Sequence, residues 1–180
     1  MIAFKGFNKK LQATRGKGVF QYEIGKTYEE TEAANCAQNG FHCVEEPLRV
    51  LDWYPDGRWC KVYAEDIHED GSDKISCRRI KIAKELTLEE LCAHEVAWIQ
   101  KCPAREPSDR VLRNRGEAKS KDSIVIKGSR PRGRGELGCT IFLVKMAKKS
   151  VEKIFVFKVD GKEYLPDKWY DVEGMVHEKG

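Results

Sequence analysis

Apolar side chains recur at every second position through several short stretches of this chain, and at helical spacing in two others. Residues 1–7 read as a strand ending at Gly6-Phe7, and residues 19–28 as one strand or two around Gly25. Trp59, Lys61 and Tyr63 alternate with Cys60, Val62 and Ala64, which predicts a strand over 59–65. After a loop at Asp70-Gly71-Ser72-Asp73, residues 74–82 predict another, with Ile75, Cys77, Ile80 and Ile82 as its apolar members. A short helix is expected over 47–54, because Pro47 suits a first turn and Leu48, Leu51 and Tyr54 share a face; Pro55-Asp56-Gly57 ends it. The clearer helix runs from Leu88 to about Gln100. Thr87 and Glu90 have the spacing of a capping box, Leu88, Leu91, Cys92, Val96 and Ile99 follow, and Pro103 stops it.

Beyond Pro103 the pattern changes. Pro103, Pro107 and Ser108 look like a linker, and the runs 124–126, 140–144 and 154–159 are apolar and β-branched. Asp160-Gly161 predicts a two-residue hairpin turn. The expected architecture is therefore α+β: a mixed α/β domain over 1–105, then a basic segment and a small β-rich part over 106–180.

Charge sharpens this division. Residues 110–134 hold nine basic side chains against two acids, Glu117 and Asp122, so a chain of formal charge +4 carries about −3 outside that segment. Ser129-Arg130-Pro131-Arg132-Gly133-Arg134-Gly135 sets three guanidiniums on a backbone that cannot hold a regular helix, and is expected to be a loop able to follow a polyanion. Arginine offers phosphates a planar, doubly donating fork, and neutralising them releases counterions.

Composition adds bounds. With 41% apolar and 34% charged residues, a chain of 180 residues can build a core. No apolar run is of bilayer-spanning length, and Met1-Ile2-Ala3-Phe4-Lys5 does not begin a secretory signal, so a cytoplasmic protein is expected. The odd count of seven cysteines points to reduced thiols.

Cys36-Ala37-Gln38-Asn39-Gly40-Phe41-His42-Cys43, with Pro47-Leu48, Val50-Leu51 and Trp53-Tyr54-Pro55, resembles a family of proteins of unknown function common in bacteriophages and prophages. The likeness continues through Phe4-Lys5-Gly6-Phe7, Phe20-Gln21-Tyr22, Gly25-Lys26-Thr27-Tyr28, Asp73-Lys74-Ile75 and Ile80-Lys81-Ile82, and reappears at Phe157-Lys158-Val159-Asp160-Gly161-Lys162 and Pro166-Asp167-Lys168-Trp169-Tyr170. In longer relatives the middle holds Gly- and Ser-containing repeats like the coils of a β-solenoid. The resemblance thus implies a solenoid remnant here, from about Asn114–Lys121 to Gly135–Cys139. So short a remnant must lean on a neighbouring domain or another copy to bury its faces. It also implies a phage setting, in a host cytoplasm, and it carries over no catalytic residues.

The remaining chemistry is weighed residue by residue. Cys36, His42 and Cys43 form the most metal-like group, but Cys60, Cys77, Cys92, His94 and Cys102 are too dispersed to complete a chelate, so buried thiols are expected and no metal or cofactor. His42 beside Cys43 points to the opposite face of an extended segment, which argues against a thiolate nucleophile. The tryptophans are expected to be core and hairpin residues. The order Phe4-Lys5-Gly6, Gly40-Phe41-His42, helix, strand loosely resembles small ADP-ribosyltransferase-like folds, with Lys5 where Arg or His is usual. That likeness implies an NAD-dependent alternative using Lys5, His42, Tyr54 and Glu65. The leading expectation is a non-catalytic accessory protein that contacts nucleic acid or a host nucleoprotein through Arg110, Arg113, Arg115, Lys119, Lys121, Lys127, Arg130, Arg132 and Arg134. Antagonism of a host defence such as a CRISPR nuclease is its concrete form. A virion or assembly component is a third reading, homo-oligomerisation is allowed, and no membrane partner is expected.

Overall fold

The computed structural model describes residues 1–15, 18–35, 39–69, 71 and 73–177. Its elements are β1 (Ile2–Phe7), β2 (Gln12–Ala13), β3 (Phe20–Gln21), β4 (Thr27–Glu29), β5 (Phe41–Cys43), a 3-10 helix (Pro47–Asp52), β6 (Arg58–Glu69), β7 (Ile75–Leu86), α1 (Leu88–Lys101), β8 (Val111–Ala118), β9 (Ser123–Gly135), β10 (Thr140–Ala147), β11 (Ser150–Lys158), β12 (Trp169–Tyr170) and β13 (Val176–His177). Strand accounts for about 50% of the protein and helix for about 12%, with α1 the single α-helix among the described residues, so the α+β expectation gives way to a β-rich fold. The reason lies at the N-terminus. Its short apolar runs form strands, most of them in one antiparallel sheet with β2 and β3 paired apart, and the helix expected over 47–54 is a six-residue 3-10 helix.

The contacts divide the chain into two compact units, Met1–Thr87 and Leu88–Gly180. The break precedes α1, whereas a boundary at 105/106 leaves that helix with the first unit. In the first unit β6 and β7 form a long antiparallel hairpin; β1 pairs with the outer side of β6, and β4 and β5 pair with β7. Cys60, Val62 and Ala64 face inward, where they meet Ala3, Phe7, Ile80 and Ile82 in the core. Phe20, Tyr22, Tyr28 and Phe41 close that core with tilted and edge-on ring contacts, centroids 4.7 to 6.3 Å apart.

The second unit is built on three parallel strands in the order β8, β9, β10, with β11 antiparallel beyond β10. Arg115 lies opposite Arg132 and Ser123 opposite Thr140, a spacing of 17 residues in both cases, so the chain here winds in coils and stacks like on like. Leu112, Ile126 and Leu143 form one aliphatic column through the three strands. Beneath it Gly116 faces Gly133. A Cβ on Gly133 would lie 2.5 Å from Ile141 and 3.0 Å from Ile126, and one on Gly116 would lie 2.5 Å from Leu112, so the column requires glycine at both. Too few coils exist to bury one another, and within this unit α1 contributes Leu91, Cys92, Val96 and Ile99 to the interior and packs on β9, β10 and β11.

Two local expectations are corrected. Residues 129–135 lie in β9 and are not a loop: Gly133 and Gly135 pair with β8, and Pro131 falls where β9 has partners in neither β8 nor β10, so its missing N–H breaks no ladder bond. Asp160-Gly161 does not make a two-residue hairpin. The Asp160 carboxylate accepts the N–H groups of Lys162, Glu163 and Tyr164 at 2.8, 3.0 and 3.1 Å, which turns the chain into a wider loop. The hairpin in this region is β10–β11, turning at Lys148 with φ of 57°.

Candidate functional sites

The nine basic residues of the 110–134 segment separate into groups. Strand alternation sends Arg130, Arg132 and Arg134 to one side of β9, while Pro131, Gly133 and Gly135 are buried on the other. On β8, Arg115 stands opposite Arg132 and Glu117 opposite Arg134. Tyr170 of β12 pairs with Gly133 and is buried, so its neighbour Trp169 emerges on the arginine side. Its ring lies 4.7 Å from the Arg115 guanidinium and 4.9 Å from that of Arg134. One indole therefore holds two guanidiniums from different coils. Arg134 also donates to Glu117 at 2.7 and 3.1 Å, and Lys119 reaches the same carboxylate at 3.8 Å. These contacts hold the Glu117 carboxyl below its usual range, the Arg134 hydrogen bonds foremost.

Asn114 makes the corner of this coil. Its φ of 57° shifts the register between Arg113 and Arg115, and its side-chain oxygen accepts the Arg130 N–H at 3.2 Å. Past the corner, Arg113 pairs with Glu106 at 2.6 Å and Lys127 donates to the Arg105 carbonyl at 3.3 Å. Both line a depression of about 340 Å³ together with Lys148 and Lys149. Arg110 precedes β8, and Lys119 and Lys121 lie at the turn after it. The structure thus gathers Arg115, Arg130, Arg132 and Arg134 on one strand face and places the other five around its margins. Among the described residues, no carboxylate lies within ion-pair distance of Arg115 or Arg130.

A second site lies in the first unit, a cavity of about 670 Å³. Lys5, His42 and Tyr54, which the sequence places far apart, all line it. Lys5 is 7% exposed and donates to the His42 carbonyl at 2.5 Å, with its ammonium over the rings of Phe7 and Tyr22 at 5.7 and 5.3 Å. Burial pushes its pKa down, and the neighbouring thiols Cys43 and Cys77 offset that only in part. Tyr54 accepts the Thr14 N–H at 2.8 Å, and Lys74 sits 3.9 Å from the centroid of Trp53. Glu65 does not line this cavity. It is exposed on β6 and pairs with Arg79 at 3.2 Å; the carboxylates at the cavity are Glu30 and Glu32.

Cys36 lies outside the described residues. Among those described, no three His, Cys, Asp or Glu side chains converge as metal ligands, and the six cysteines are free thiols. Cys43 is buried and held above the ordinary thiol range by its hydrogen bond with Cys77 and by burial. No helix of the described residues is long and apolar enough to cross a membrane.

Sequence reasoning missed the role of Trp169, reading it as packing, because nothing local links it to arginines some 35 to 54 positions earlier. Residues 1–94 match the family described as "Domain of unknown function (DUF7666)". No curated protein and no solved structure matches the chain.

Proposed function

The chain belongs to the DUF7666 family, and from that premise and the geometry of its second unit we propose that it is a non-catalytic accessory protein that binds the phosphate backbone of nucleic acid. The observation that carries this reading is the pair of guanidiniums, Arg115 and Arg134, held by Trp169 beside Arg130 and Arg132 on one face. Long arginine side chains ordinarily lose rotamer freedom on binding. Stacking on an indole restricts two of them beforehand, which lowers that entropic cost. Arginine forks on adjacent parallel strands can meet successive phosphates, a contact that is backbone-directed and carries no sequence information itself.

In a phage setting the target is a host nucleic acid or nucleoprotein, and a guide-loaded nuclease is the concrete case. The reading is tested by fluorescence anisotropy with labelled RNA, single-stranded and duplex DNA at low salt, using the intact protein and R130A/R132A/R134A. Binding by the former and its loss in the latter are expected. Equal affinity of the two proteins would remove the arginine face from the account. Cleavage by a loaded nuclease is expected to fall on addition of the intact protein and to be unaffected by the triple variant.

A further inference from the structure

The ammonium of Lys5 is a charge without a counterion. It is buried, it has one hydrogen-bond acceptor, the His42 carbonyl, and its other neighbours are aromatic rings and thiols. Among the described residues no carboxylate lies within ion-pair distance of it. Removing a cation from water is costly unless a partner compensates it, and a carbonyl and two ring faces compensate only partly. Lys5 nevertheless borders an aromatic-walled cavity of about 670 Å³, inside the range of roughly 300 to 1,000 Å³ common to small-molecule sites.

We propose that this cavity is a binding site for a planar, anionic small molecule of about mononucleotide size, whose anionic group meets Lys5. The lining suits both halves of such a ligand. Phe20, Phe41 and Tyr54 provide ring surface, and Arg15 and Lys74 supply further positive charge. Two cations are already braced against rings: Lys74 on Trp53, and Arg15 with its guanidinium 5.9 Å from the Tyr54 centroid. Glu30 and Glu32 are the acids on the lining, able to accept hydroxyl or amino donors of the ligand. The Asn39 side-chain oxygen, also on this lining, is buried without a hydrogen-bond donor and is a further acceptor for the same groups.

Lys5 gives the test a covalent readout. Pyridoxal 5′-phosphate is planar, anionic and an aldehyde. The deprotonated Lys5 amine attacks the aldehyde carbon, water leaves, and an imine forms; borohydride then delivers hydride to the imine carbon while solvent protonates the nitrogen. One equivalent of this probe, followed by borohydride and peptide mass mapping of the whole protein, is expected to place the adduct on Lys5 ahead of the exposed lysines. Adenosine monophosphate in excess is expected to suppress that adduct at least tenfold, at concentrations where inorganic phosphate does not. Lys5→Arg, which keeps the charge, is expected to lose the adduct yet still bind adenosine monophosphate, read from quenching of tryptophan emission. Labelling scattered over surface lysines with Lys5 untouched would overturn the proposal. So would a Lys5 adduct indifferent to adenosine monophosphate. Both readouts on the unsubstituted protein stand even if the variant fails to fold.

Discussion

Two side chains, Lys5 and Glu117, carry charge in opposite ways, and each leads to a measurable outcome. Burial lowers the folded-state pKa of Lys5 below the ordinary 10.5. Between that depressed value and 10.5 the unfolded chain holds a proton that the folded chain does not, so stability rises with pH through this window and the penalty is fully present below it. Lys5→Met is therefore expected to be more stable than the parent at neutral pH, with the gap closing as pH approaches 10.5, as followed by urea denaturation at a series of pH values. A variant less stable than the parent across the series would mean that the bond to the His42 carbonyl outweighs the burial cost. Glu117 instead opposes the proposed ligand, because it engages Arg134, one of the guanidiniums offered to phosphate. Glu117→Gln releases that guanidinium. Affinity for nucleic acid near physiological salt is expected to rise on the order of threefold, because a negative charge beside the bound phosphates is removed.

The elements show which parts of the chain were readable and why. β6, β7 and α1 were foreseen from periodicity, because each buries one face and exposes much of the other over enough residues to leave a pattern, whereas β1, buried from Ala3 to Phe7, reads only as a short run ending at Gly6-Phe7. The strand at residues 129–135 was not, since Pro131 and two glycines locally favour a loop. Stacking of Arg132–Gly135 on β8, against residues 17 positions earlier, decides it instead. The glycines are the key. Gly133 faces Gly116 because neighbouring coils leave no room for a Cβ, a constraint invisible to local propensity. Gly133→Val is expected to destabilise the protein by about 1–3 kcal/mol through overpacking against Ile126 and Ile141, observed as a lower midpoint in denaturant. A neutral result would show that the coil interior is looser than its contacts indicate. The cavity was legible only in fragments. Lys5, His42 and Tyr54 came under notice through a loose resemblance, but Arg15 and Lys74 join them from loops whose positions only the folded sheet sets.

At the scale of the whole molecule, charge and shape are divided between two compact units. The family match spans the first unit and the start of α1, where the cavity lies, whereas the basic face belongs to the second. A chain of +4 overall that is about −3 outside residues 110–134 concentrates its positive charge in the second unit, where four arginines share one face. The direct test is the affinity of the intact protein for labelled duplex DNA across a salt titration, beside R130A/R132A/R134A. The account predicts log affinity falling linearly with log salt, with a slope of about −3 to −4 for four phosphate contacts and about −1 in the triple variant. No binding at low salt, or the same slope in both proteins, would contradict it.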